Sequence, residues 1–199
     1  MLKNRKKVGL AATAACMLLG LSASEAAVVF DITESGSDVT VAGSGFLNIT
    51  GLSGAVTAGL PRAIDPDKVL FAIGAGTAAR RTAVSITGPA TLGSGTTLVN
   101  ATSQTGDFFG FDTALSRVFM PSGYVSGSSL NGTATWANHS FTSLGLTPGT
   151  YVYTVNATGN PNLDTFTVNI GVAAVPEPGC AALMLLGLCG VTLRRRRSR

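Results

Sequence analysis

A single histidine, His139, stands beside Ser140, and the pair raises the chemistry of a serine nucleophile with an imidazole base. Extended chain defeats that arrangement, because neighbouring residues of a strand project to opposite faces and cannot share a proton. Paired carboxylates offer a second chemistry. Asp65 with Asp67, or Asp107 with Asp112, could serve glycoside cleavage or hold calcium, yet neither pair has the oxygen-dense spacing of a calcium loop. Asp65 and Asp67 flank Pro66 and precede Lys68, which reads as a solvated turn. The H-E-x-x-H, G-x-S-x-G and phosphate-loop spacings do not occur. Stacking against a sugar ring is the third chemistry. Phe108, Phe109, Phe111, Tyr124 and Trp136 could supply it, with Trp136, Tyr124 and Phe108 as the candidate ligand platform. The competing expectation for these rings is core packing, since a domain of this size fills its interior with its largest residues. No catalytic residue, metal ligand or cofactor is expected, and the chain is read as a non-enzyme.

The elements that must position these residues are strands. Gly, Ser and Thr punctuate short runs of Val, Ile, Phe, Tyr and Thr, and no window carries enough helical periodicity to indicate a helix. Strands are expected near residues 28–33, 38–41, 45–50, 69–73, 82–87, 97–101, 107–111, 117–120, 132–138, 140–143, 151–157 and 164–170. Ser35-Gly36, Gly88-Pro89, Asn131-Gly132, Pro148-Gly149 and Gly159-Asn160-Pro161 supply the backbone angles that reversals require. Such spacing predicts an all-β fold, a single β-sandwich or β-roll. The closing pair is the clearest pattern. Tyr151, Tyr153 and Val155 share one face of the first strand, and Phe166, Val168 and Ile170 share one face of the second. Leu146, Pro148 and Gly149 resemble the turn that opens a strand in fibronectin type III domains, but the corner tyrosine of that fold would fall at Val152, so the likeness is one of turn chemistry. Asn48, Asn100, Asn131, Asn138 and Asn156 each begin an N-x-S/T sequence, read here as ordinary strand and turn composition.

Charge is concentrated at the two ends. The chain carries a formal net charge of +4, but between residues 27 and 174 the cations are Arg62, Lys68, Arg80, Arg81 and Arg117, outnumbered by Asp31, Glu34, Asp38, Asp65, Asp67, Asp107, Asp112 and Asp164. A mildly acidic body has no electrostatic reason to bind nucleic acid. All three cysteines, Cys16, Cys180 and Cys189, lie outside it, so neither disulfides nor a cysteine-based zinc site can staple the body, and its core must suffice.

The ends read as addresses. Lys3, Arg5, Lys6 and Lys7 form a positive region, residues 8–21 an apolar core, and Ser24 and Ala26 offer small residues at a cleavage site. Residues 1–26 are therefore expected to be a signal peptide recognised by the secretion machinery, with an uncleaved anchor as the alternative. Residues 27–174 form the β-rich ectodomain. At the other end, Pro176 and Pro178 bracket Glu177, residues 179–193 hold no charge, and Arg194, Arg195, Arg196, Arg197 and Arg199 close the chain. A positive cluster after an apolar helix resists translocation, which places the body across the membrane from it. Fifteen helical residues reach only about 22 Å against a hydrocarbon core of about 30 Å, so the predicted short transmembrane helix suits transient insertion, while a permanent anchor remains the alternative.

Residues 175–199 resemble the PEP-CTERM sorting signal. The resemblance implies that Val175, Pro176, Glu177 and Pro178 are the sorting motif, that the arginines are the stop-transfer cluster, and that an exosortase-type membrane transpeptidase processes the protein near the motif. The strings FDITESGSDVTVAGSGFLNITGL, TGDFFGF, VFMPSGYVSGSSLNGTATW and FTSLGLTPGTYVYTV look like an ectodomain recurrent among PEP-CTERM proteins. This implies an exported protein with an inner-membrane intermediate, delivered to the cell surface or secreted into the extracellular matrix. There a structural or adhesive role in association with exopolysaccharide is expected, with a carbohydrate-binding module as the alternative and a secreted hydrolase behind it.

Overall fold

The computed structural model describes residues 27–57 and 59–171. The expected signal peptide, sorting motif, apolar helix and arginine cluster lie outside the described residues. Among those residues no helix is long and apolar enough to cross a membrane.

Among the described residues fourteen strands form two seven-stranded sheets, and the fold is all-β and sandwich-like. The first sheet contains β1 (Ala27–Ser35), β2 (Asp38–Phe46), β7 (Ser85–Thr87), β9 (Ser103–Gly106), β12 (Ser129–Ala137), β13 (Gly149–Ala157) and β14 (Asn160–Ile170), in the order β7-β13-β14-β1-β2-β12-β9. The second contains β3 (Ser53–Thr57), β4 (Ala63–Asp65), β5 (Leu70–Ile73), β6 (Ala78–Thr82), β8 (Val99–Asn100), β10 (Phe109–Asp112) and β11 (Arg117–Pro121), in the order β3-β6-β11-β10-β5-β4-β8. Strand β1 pairs antiparallel with β2 and parallel with β14, so the first and last described strands lie side by side in the middle of one sheet.

Alternation drives the packing. In β1 Val28, Phe30 and Ile32 are buried, and in β14 Phe166, Val168 and Ile170 are buried, while the intervening residues are only partly covered. The closing pair has the expected face: Tyr151 opposes Val168 and Tyr153 opposes Phe166. Between the sheets an aromatic cluster forms the centre of the core. Phe30 packs edge-on against Phe71 at 4.8 Å and stacks with Phe109 at 5.3 Å, and Phe111 stacks with Phe166 at 4.6 Å. Gly43, opposite Phe30 in the β1–β2 ladder, makes room for this cluster: a Cβ there would meet Phe30, Ile73 and Phe109 side chains at 2.7–2.8 Å.

Several expected elements are corrected. Residues 140–143 do not form a strand. Residues Phe141–Leu144 form a one-turn helix, α1, because Ser140 and Ser143 cap it reciprocally and Gly145, at φ 68°, ends it in the left-handed conformation. The expected strand 45–50 is largely loop, its first two residues being the end of β2, and 82–87 is divided between the end of β6 and β7. Strands β3, β4, β6 and β9 carry no period-2 apolar pattern, which is why alternation alone does not find β6 or β9, Ala-Ala-Arg-Arg-Thr and Ser-Gln-Thr-Gly respectively.

Candidate functional site

Two rings of the candidate platform, Trp136 and Phe108, are corrected to core residues, as the core-packing expectation has them. Trp136 and Phe108 are fully buried, as are Phe109 and Phe111. Trp136 projects from β12 into the core and donates its indole Nε1–H to the Val99 carbonyl at 2.9 Å, tying the first sheet to β8 of the second. Phe108 joins Leu60, Ala72, Ala78 and Phe119 in a small apolar cluster, with the Arg62 guanidinium 4.7 Å from its ring centroid. Tyr124 is half-buried, and its hydroxyl is committed: it accepts the Leu47 N–H at 2.9 Å and lies against the carbonyls of Ser128 and Leu47. Burial raises its pKa above that of an ordinary phenol. The Leu47 bond opposes the shift, and the charges of Asp164 and Asp107 add to it. Trp136 and Phe108 thus present no face for stacking on a sugar, and Tyr124 packs partly against the main core with its hydroxyl engaged.

The histidine has a different partner from its neighbour. His139 Nδ1 lies 3.2 Å from Ser143 Oγ, but the same hydroxyl accepts the Ser140 N–H at 2.8 Å as part of the α1 cap. The Phe141 N–H at the start of α1 is held by Glu34. This is the hydrogen bonding of a helix end.

The carboxylate pairs are also separated. Asp65 is buried on β4, with Oδ2 3.2 Å from Lys68 Nζ and Oδ1 without a partner among the described residues, whereas Asp67 is exposed in the following turn. Asp107 and Asp112 stand at the two ends of one extended stretch, about 16 Å of chain apart. Glycosidase carboxylates are about 5–9.5 Å apart. Each has its own structural partner, the Asn131 N–H for Asp107 and the Leu115 N–H for Asp112. Among the described residues no group of three or more His, Cys, Asp or Glu side chains is placed to hold a metal ion.

What the fold does assemble is a cleft around Asp107, of about 420 Å³, lined by Thr77, Gly106, Asp107, Phe108, Pro121 and Ser122 among others. Three chain segments build it. The loop between β5 and β6 meets the β9–β10 connection where Ala75 bridges Asp107 and its N–H bonds the Gly106 carbonyl at 3.0 Å. Gly74, at φ +79°, permits that approach, since a Cβ there would sit 1.6 Å from the Asp107 carbonyl oxygen. The third segment follows from Ser122, whose N–H donates to the Thr77 carbonyl at 2.9 Å. Arg62 braces the loop by donating to the carbonyls of Leu60, Gly74 and Gly76. Sequence reasoning singled out Asp107 but not Thr77 or Ser122, because residues so far apart in the chain carry no joint signal.

Asp164, on β14, is the most perturbed acid. It is 3% exposed, and desolvation raises its pKa to about 7 against the opposing effect of the Asn48 N–H bond. Comparison with protein families, with curated proteins and with solved structures finds no match to this chain.

Proposed function

We infer that this chain is an exported, non-enzymatic β-domain, processed at its C-terminal end by an exosortase-type transpeptidase and deployed at the cell surface or in the extracellular matrix. Its role there is structural or adhesive, in association with exopolysaccharide. The observation that carries the reading is the order of segments in the sequence: a positive-then-apolar leader, a cysteine-free body, Val175-Pro176-Glu177-Pro178, an uncharged run and an arginine cluster. The fold is compatible with that use. Its two-sheet core needs no disulfide, and the side chains weighed as catalytic candidates make structural hydrogen bonds.

Intact mass spectrometry of extracellular material tests the proposal. The mature protein is expected to begin at Ala27 and to lack the arginine cluster. Released protein retaining Arg194 to Arg199, or full-length protein confined to the cell interior, would overturn it.

A further inference from the structure

We propose that the Asp107 cleft is a binding site for a single neutral sugar residue, such as the end of a glycan chain. Its setting rests on the matrix reading above, but its chemistry is independent of it. Among the described residues, three polar side chains that line the cleft keep unused hydrogen-bonding capacity. Asp107 Oδ2 is fixed by the Asn131 N–H at 3.0 Å, which leaves Oδ1 preorganised and without a hydrogen-bond partner among the described residues. The hydroxyls of Thr77 and Ser122 likewise have no side-chain hydrogen bond among the described residues. An acceptor that cannot donate, beside two hydroxyls that do both, matches the mixed donor and acceptor edge of vicinal sugar hydroxyls.

Other ligand classes fit less well. A hard dication takes six to eight oxygens and usually several carboxylates, whereas Asp107 is the only carboxylate lining the cleft among the described residues. Phosphate would face that carboxylate directly. An aromatic or aliphatic ligand would need an apolar wall, but Phe108 is fully buried and its ring face is occupied by Arg62. The space, about 420 Å³, suits one or two sugar rings and no long apolar chain.

The test is isothermal titration of the full-length chain in a detergent without a sugar headgroup. Glucose, galactose, mannose and N-acetylglucosamine serve as probes, each raised to about 50 mM, with calcium chloride run separately. At least one sugar is expected to bind with a millimolar Kd, the range open to so few contacts. Asp107→Asn should weaken it at least tenfold and Thr77→Val several-fold, each with an unchanged melting temperature. Ser122→Ala, at an exposed hydroxyl, keeps the test valid if Asp107→Asn fails to fold. No saturation by any sugar, sugar binding indifferent to these variants, or Asp107-dependent calcium binding alone would overturn the proposal. None of those outcomes would alter the mature mass or the extracellular location, so failure of the site is distinguishable from failure of the matrix reading.

Discussion

Asp164 grips the backbone N–H of Asn48 with both carboxylate oxygens, at 3.0 and 3.2 Å, from a position on β14 that solvent hardly reaches. The loop that follows β2 is thereby fastened to the last strand. Tyr124 holds Leu47, and Ser126 Oγ accepts the Ile49 N–H at 3.1 Å, so three consecutive backbone donors are each satisfied by a side chain from a distant segment.

The grip has a pH dependence whose sign follows from burial. The folded-state pKa of Asp164 is about 7 and its ordinary value is 3.8, so the folded state binds the proton more tightly. Below about pH 4 both states are protonated and the contribution to stability is complete. It is lost as pH rises towards 7, where the unfolded chain ionises first. Asp164→Asn keeps an acceptor for the Asn48 N–H and removes the titration. The variant should be more stable than the parent by about 1–3 kcal/mol at pH 8 and nearly equal to it at pH 4. Denaturant midpoints at both pH values check this, and a difference independent of pH would contradict it.

Gly43→Ala should destabilise the fold by about 1–3 kcal/mol, because the added methyl enters the Phe30, Ile73 and Phe109 contacts at 2.7–2.8 Å and the core has to yield. Gly36→Ala is the useful contrast. Open space surrounds Gly36, but its φ of +63° strains any side chain, so its cost is conformational and should leave near-ultraviolet aromatic signals unchanged. Equal aromatic perturbation in both variants would refute the packing account.

Local alternation made much of the first sheet legible. Tyr153 and Val155 with Phe166, Val168 and Ile170 announce a buried face, and the observed register places them as expected. The parallel pairing of β1 with β14 was not legible, since contact between the two ends of the body leaves no mark in either strand. Val69 misled for a different reason. A β-branched residue beginning an apolar run reads as strand, yet it sits in a turn at φ 49°, its side chain fully buried in the core. Tyr151 shows near-miss logic: its hydroxyl donates to the Thr147 carbonyl at 2.8 Å, a corner-like bond made one residue before the position that the fibronectin spacing suggests. The cleft was illegible because its polar groups come from three segments far apart in the chain, brought together by backbone hydrogen bonds and by packing around Phe108.

Trp136 is a structural residue, and its substitutions should report as such. Trp136→Phe deletes the Nε1–H that satisfies Val99 and should cost about 1–3 kcal/mol, while Trp136→Ala adds a cavity and should cost about 3–5 kcal/mol. Chemical denaturation measures both. In any sugar-binding assay, Trp136→Phe that remains folded should bind as the parent does, and a selective loss of binding with unchanged stability would reinstate the ring as a ligand contact.

Two tyrosines make opposite predictions from the same chemical change. Tyr124→Phe strips the Leu47 N–H of its acceptor and should cost about 1–3 kcal/mol, the penalty of an abandoned donor. The Tyr153 hydroxyl is buried without a partner among the described residues, its ring packs beside that of Phe111 at 5.0 Å, and desolvation pushes its pKa well up. Removing it discards an uncompensated polar group at little loss of ring packing. Tyr153→Phe should therefore be neutral or stabilising by up to about 1 kcal/mol. Urea midpoints of the two variants decide the matter: a cost at Tyr153 equal to that at Tyr124 would mean that the Tyr153 hydroxyl has a partner, such as a buried water, that holds it in place.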